Sequence, residues 1–188
     1  MKRILDKPQI EEICKRLGKE ITEALKDEKK IPVFVGVLKG SMNFMMDLIK
    51  YIERPMYLDF IQISSYSGTT STGHIQLLKD LSYECSNRAV VIIEDIVDTG
   101  RSMKYLIEHV KTHSPSKVYV CALLDKASAR IEDVKVDFIG HELKDNAFLI
   151  GYGLDYNEIE RNVPFIYAAD QNDIDRLNKI LKEDEKDA

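Results

Sequence analysis

The chain has 188 residues, 44% of them hydrophobic, enough to fill one core and short for two domains of ordinary size, so a single domain over residues 1–188 is expected. A formal net charge of -5 sets up a field that repels nucleic acid and anionic membranes, while a local basic patch would still take phosphate. Cys14, Cys85 and Cys121 show no CxxC spacing and sit among apolar or helix-forming neighbours, which argues against a disulfide framework or a zinc site and reads as buried thiols in a reducing compartment.

The first stretch, "MKRILDKPQIEE", reaches a charge after every short apolar pair and has no signal-peptide core. With no apolar run of membrane-spanning length, a cytoplasmic location is expected. Ile10, Ile13, Leu17, Ile21 and Leu25 recur in steps of three and four and predict one face of a helix. "IPVFVGV" (31–37) is a continuous apolar run of strand length, "SMNFMMDLIKYI" reads as a second helix, and "MYLDFIQISS" alternates as a strand does. After the polar stretch 64–74 come a short strand near 75–79, the buried strand "RAVVIIED", a helix from about Ser102 to Lys111 and the strand "KVYVCALL". "VDFIGHEL" and "AFLIGYGLDY" look like short further strands, and "DIDRLNKILKEDEKDA" like a last helix.

Buried strands alternating with helices predict an α/β fold, a central parallel sheet flanked by helices on both faces. Ligands in such sheets bind beyond the carboxyl ends of the strands, so the loops at 38–41, 95–102 and 125–130 are expected on one rim.

The stretch "IIEDIVDTGRSM" (92–103) stands at a strand-to-helix junction. The amides from Asp98 to Ser102 would be unpaired at the helix start, Gly100 permits close backbone approach, and Thr99 and Ser102 add hydroxyls, which together make an anion cradle. Glu94 and Asp95 would repel a phosphate unless they serve hydroxyl groups or a divalent cation beside it, as a sugar phosphate supplies. A phosphorylated sugar is the ligand this pattern implies. The plainer alternative makes Asp98 a helix N-cap and the other acids solvated loop residues.

"VVIIEDIVDTGRSM" resembles the phosphoribosyl-diphosphate signature of the type I phosphoribosyltransferases. "VGVLKGSMNF", "SSYSGTTSTG", "LLDKASAR" and "FLIGYGLDYNEIERN" are similar to the pyrophosphate loop, mobile lid, purine-reading strand end and closing segment of the hypoxanthine-guanine members. The resemblance runs from about residue 30 to 167. It implies that fold, with a small hood from the terminal segments. It also implies magnesium-dependent transfer of phosphoribose from 5-phosphoribosyl 1-diphosphate to a 6-oxopurine, giving IMP or GMP, in a homodimer or homotetramer.

By the same resemblance Asp98 is the proton acceptor, Glu94 and Asp95 bind ribose and metal, and Asp98, Thr99, Gly100, Arg101 and Ser102 hold the 5-phosphate. Lys39 and Gly40, with Leu38–Lys39 a cis peptide, contact pyrophosphate together with Ser65, Tyr66 and Arg161. Lys126 donates to the purine 6-oxo group, Phe148 stacks on the ring, the Leu149 backbone reads the base edge, and Asp155 lies near the 2-position and a second metal. Each position has an ordinary alternative: a strand-to-helix turn at Lys39, a solvated hairpin at 64–74, a solvated Lys126, a core Phe148.

His74, His109, His113 and His141 form no metal-ligand pattern, because "KTHSPS" ends the helix before His113; they read as surface histidines. No GxxxxGK[ST] or GxGxxG occurs, so triphosphatase and dinucleotide functions lack support. A regulatory nucleic-acid-binding relative of the same fold would need a basic surface, which the charge balance opposes.

Overall fold

The computed structural model describes residues 1–65, 75–145 and 147–186. The chain opens with a short strand, β1 (Lys2–Leu5), and enters helix α1 (Lys7–Ala24) through a capping box in which Asp6 accepts from the Gln9 amide and the Gln9 side chain accepts from the Asp6 amide. Its buried face is the expected one, carrying Ile10, Leu17 and Ile21. Gly18 on that face lies against Tyr51 so closely that a Cβ would strike the Tyr51 backbone.

Then follow β2 (Val33–Leu38), α2 (Met42–Leu48) with a short 3₁₀ turn, β3 (Tyr57–Ser65), β4 (Ile75–Lys79), β5 (Ala89–Val97), α3 (Arg101–Lys111), β6 (Lys117–Asp125), β7 (Phe138–Glu142), β8 (Leu149–Ile150), β9 (Ile166–Ala168) and α4 (Gln171–Asp184). The main sheet has the order β4-β3-β2-β5-β6-β7 and is parallel except for β4, which pairs antiparallel to β3 at the edge. Both faces are covered. Along β5, Ala89, Val91 and Ile93 join the core under α1 and α2, while Val90 and Ile92 join the core under α3, which is why the strand reads as an unbroken apolar run.

The expected hood is present and is more ordered than the sequence pattern implied. β1, β9 and β8 form a separate antiparallel sheet, and Ile150, Tyr167 and Leu177 give it a small core with α4. The three cysteines are buried and free, as expected. No helix among the described residues is long and apolar enough to cross a membrane.

From β2 the chain turns to β3 on one side, and it returns to β5 on the other. The sheet therefore has its switch point between β2 and β5, and the carboxyl ends of those two strands open the crevice where ligands of such folds bind.

Candidate active site

At the switch point Gly40 lies against both the Asp95 side chain and the Gly153 backbone. A Cβ on Gly40 would run into the Asp95 carboxylate, and one on Gly153, whose φ is 106°, would run into the Gly40 carbonyl. The peptide bond Leu38–Lys39 before this contact is cis, as expected.

At the end of β5, Asp95 is 9% exposed and accepts the Ile96 amide at 2.8 Å, while Glu94 accepts the Asp95 amide at 3.2 Å. Burial raises the Glu94 carboxyl well above its ordinary range, and the Asp95 charge adds to the effect. Burial raises Asp95 as well, against the pull of its hydrogen bonds and of Arg161. The pair holds acidic oxygens that no cation of the protein neutralises by direct ion pairing among the described residues.

Past Val97 the chain turns into α3. Gly100, at φ 84°, is the residue from which α3 starts, and no side chain caps the helix, so the N-cap alternative for Asp98 is set aside. The left-handed conformation favours glycine, and a Cβ would also crowd Arg130 and Glu132. A cavity of about 100 Å³ is lined by Glu94, Asp98, Thr99, Gly100 and Ser102. Arg101 stands exposed on the first turn of α3. The Thr99 carbonyl accepts the amides of Ile131 and Glu132 at 2.9 and 3.1 Å, which ties the loop after β6 to the cradle.

Lys126 follows β6 and is only 5% exposed, so the solvated-lysine alternative fails. Its amide donates to the Val97 carbonyl at 3.0 Å, and its Nζ lies 3.8 Å from Asp98 Oδ2. Phe148 is no core residue: it is 53% exposed on the hood, edge-on to Tyr156. Leu149 next to it lies in β8 with its side chain buried and its backbone paired with Ala168.

The hood supplies Arg161, and the loop after β2 supplies Lys39. Arg161 donates to the Gly153 carbonyl at 2.8 Å and pairs with Asp155 at 2.8 Å and Glu158 at 3.2 Å. Its Nε is buried without a hydrogen-bond partner. Lys39 reaches the same Glu158 at 2.6 Å, and this contact holds the Glu158 carboxyl below its ordinary range. Glu158 escaped the sequence reading because its partner Lys39 lies 119 positions away; the dense charge of "DYNEIERN" was the only hint.

Ser65 ends β3, where its backbone pairs with Ile75; Tyr66 and the rest of the expected lid to His74 lie outside the described residues. Seven of the expected residues fall into three contacting groups, one of them joined by Glu158. These are Gly40 with Asp95, Asp98 with Lys126, and Lys39 with Glu158, Arg161 and Asp155.

An acid pair, the glycine-started α3 and two cations that share Glu158 thus surround one switch point. A family model described as phosphoribosyl transferase domain matches residues 1–157. The hypoxanthine-guanine phosphoribosyltransferase of Staphylococcus epidermidis strain RP62A is 43% identical over 164 residues, 87% of this chain and 90% of the relative. That of Bacillus subtilis strain 168 is 42% identical over 166 residues, 88% and 91% of the two chains. Among solved structures, a hypoxanthine phosphoribosyltransferase from Staphylococcus aureus aligns with a TM-score of 0.85 at 39% identity, covering 92% of each chain. One from Trypanosoma cruzi gives 0.88 at 30% identity over 95% of this chain and 96% of that one. The chain belongs to the hypoxanthine-guanine phosphoribosyltransferases of the phosphoribosyl transferase family, and its architecture is the type I fold.

Proposed function

We propose that this crevice transfers phosphoribose from 5-phosphoribosyl 1-diphosphate to hypoxanthine or guanine, a purine-salvage reaction that yields IMP or GMP and pyrophosphate. The observation that carries this reading is a buried lysine 3.8 Å from an aspartate at the mouth of a phosphate cradle. The cradle alone fits any phosphorylated sugar, and the lysine adds a donor for an oxo group.

In this reading the amides and hydroxyls of Asp98 to Ser102 hold the 5-phosphate, with the Arg101 guanidinium beside them. Glu94 and Asp95 bind the ribose hydroxyls. Their carboxylate oxygens are donors that suit Mg²⁺ and would hold it, with Asp155 beside a second ion, and the raised carboxyls of the pair fit a site built to receive a cation. Mg²⁺ held there supplies charge neutralisation of the diphosphate. Lys39 and Arg161 exchange Glu158 for the departing pyrophosphate, with Gly40 giving it close backbone approach.

As the bond from C1 to pyrophosphate breaks, C1 takes oxocarbenium character and purine N9 bonds to it from the opposite face. Asp98 accepts the proton that leaves N7. Phe148 offers its ring face to the purine, the Leu149 backbone reads the base edge, and Asp155 borders the 2-position. Ser65 and Tyr66 help exclude water from C1, which would otherwise be hydrolysed. The assembly proposed is a homodimer or homotetramer, checked by light scattering.

Lys126 has three donors and no acceptor, so it bonds a 6-oxo group and has nothing to accept from a 6-amino group. The test is kcat/KM for hypoxanthine, guanine, xanthine, adenine and uracil with Mg²⁺. We expect turnover of hypoxanthine and guanine, and a hypoxanthine-to-adenine ratio that narrows in Lys126→Gln. Absent 6-oxopurine turnover overturns the reading, and a ratio unmoved by the substitution removes Lys126 from it.

A further inference from the structure

The far end of α3 carries a second constellation. The helix runs through Lys111, but Thr112 and His113 continue the winding with amide bonds to the carbonyls of His109 and Val110, both at 3.0 Å. Ser114, at φ 53°, then ends it. His113 therefore sits one turn beyond His109 on the same side, with ring centroids 5.3 Å apart, and the expectation that the helix has ended by His113 is corrected.

Asp80, the first residue after β4, closes the group from the sheet edge. His109 Nε2 lies 2.7 Å from Asp80 Oδ1, and His113 Nε2 lies 4.0 Å from the same oxygen. Among the described residues this is the group of histidine and carboxylate ligands whose donor atoms fall within 4.8 Å of one another. Both imidazoles are half-buried and Asp80 is exposed, so the donors converge at a place open to water on one side. The Asp80 oxygen is fixed by the Leu81 amide at 2.7 Å, and the His109 ring lies parallel to Tyr105, which sets its plane.

We propose that Asp80, His109 and His113 form a binding site for a divalent first-row transition ion of the Zn²⁺ class, separate from the active-site crevice. Two imidazole nitrogens and one carboxylate make a three-ligand set that leaves positions for water, as open zinc sites do. The nitrogens also set its selectivity: Mg²⁺ takes oxygen donors, so the ion that suits the crevice does not suit this site. The ion binds Nε2 of each imidazole in its neutral form, which leaves the ring N–H on Nδ1.

The site lies at the opposite pole of α3 from the phosphate cradle, roughly 16 Å away along an eleven-residue helix. It would clip the end of β4 to that helix. An ion there stiffens the helix whose other end holds substrate, without touching substrate.

The experiment titrates the whole protein with Co²⁺ and Zn²⁺ in excess Mg²⁺. We expect a visible Co²⁺ absorption band saturating at one ion per chain, and affinity at least about tenfold weaker in His113→Gln. In histidine side-chain nitrogen spectra of the wild type, Zn²⁺ should shift His109 and His113 and leave His141 unmoved, a readout that needs no variant to fold. A band unchanged in the doubly substituted His109→Gln, His113→Gln protein overturns the proposal. So does a wild-type spectrum in which neither histidine responds.

Discussion

Asp59 in β3 and Asp95 in β5 are carboxylates of nearly equal burial, 4% and 9% exposed, on strands of one sheet with β2 between them, yet their acidities move in opposite directions. Burial would raise both. At Asp59 it is outweighed by amides of Tyr83, Ser82 and Phe60 at 2.9, 2.6 and 2.8 Å, with Lys79 at 3.4 Å, and the carboxyl is held below its ordinary range. Asp95 accepts the Ile96 amide, faces Glu94 and stays raised. One acid is satisfied by the fold; the other is left for a ligand to satisfy.

The largest expected effect lies at Asp98, a half-exposed acid whose ion pair with Lys126 is long, 3.8 Å. Asp98→Asn keeps shape and removes basicity, so kcat should fall by roughly 10² to 10⁴ while binding of the sugar diphosphate and the melting temperature stay close to wild type. Steady-state kinetics and a thermal melt decide it, and an unchanged kcat would show that Asp98 takes no proton.

Asp59→Asn should do the reverse. Losing one acceptor among three amides and an ammonium costs roughly 2 to 4 kcal/mol of stability, with kcat per folded molecule preserved. Its folded pKa lies below the unfolded value of about 3.9, so the carboxylate's contribution is complete above that value and is lost as pH falls through the folded one. The melting difference between wild type and variant should therefore shrink below about pH 4. A difference independent of pH would mean that the hydrogen bonds favour neither protonation state.

Glu94→Gln sharpens the comparison from the functional side. Relieving the repulsion between the buried acids should stabilise the magnesium-free protein by about 1 kcal/mol and weaken binding of the sugar diphosphate. Denaturant unfolding and isothermal titration measure the two halves, and a destabilised variant would make the acid pair structural.

The smallest effect is expected at Glu158. Glu158 itself is largely exposed, so Glu158→Gln should lower KM for the sugar diphosphate by only about two- to fivefold. A raised KM would show that Glu158 positions the two cations rather than competing for them.

The cradle and acid pair were legible because consecutive residues build them: nine apolar or acidic positions of β5, then a glycine that starts a helix. The hood was legible only in outline. β1 and β9 have four and three residues, too few for a period to show, and they exist because they pair with each other from opposite ends of the chain. The edge strand β4 was placed correctly, but its antiparallel sense depends on register with β3, which no local pattern records. Asp80, His109 and His113 were missed for a related reason. Two of them share a helix face by spacing, but the third arrives from a different element.

The buried thiols have a use of their own. Burial pushes the Cys14 thiol up to about 12, so in the native protein it is scarcely ionised and slow to alkylate. Cys14 and Cys121 lie in the core beneath α1, and Cys85 in the core beneath α3. The native chain thus carries a silent chemical clock on each face of its sheet, and the order in which iodoacetamide marks the three positions records which face opens first.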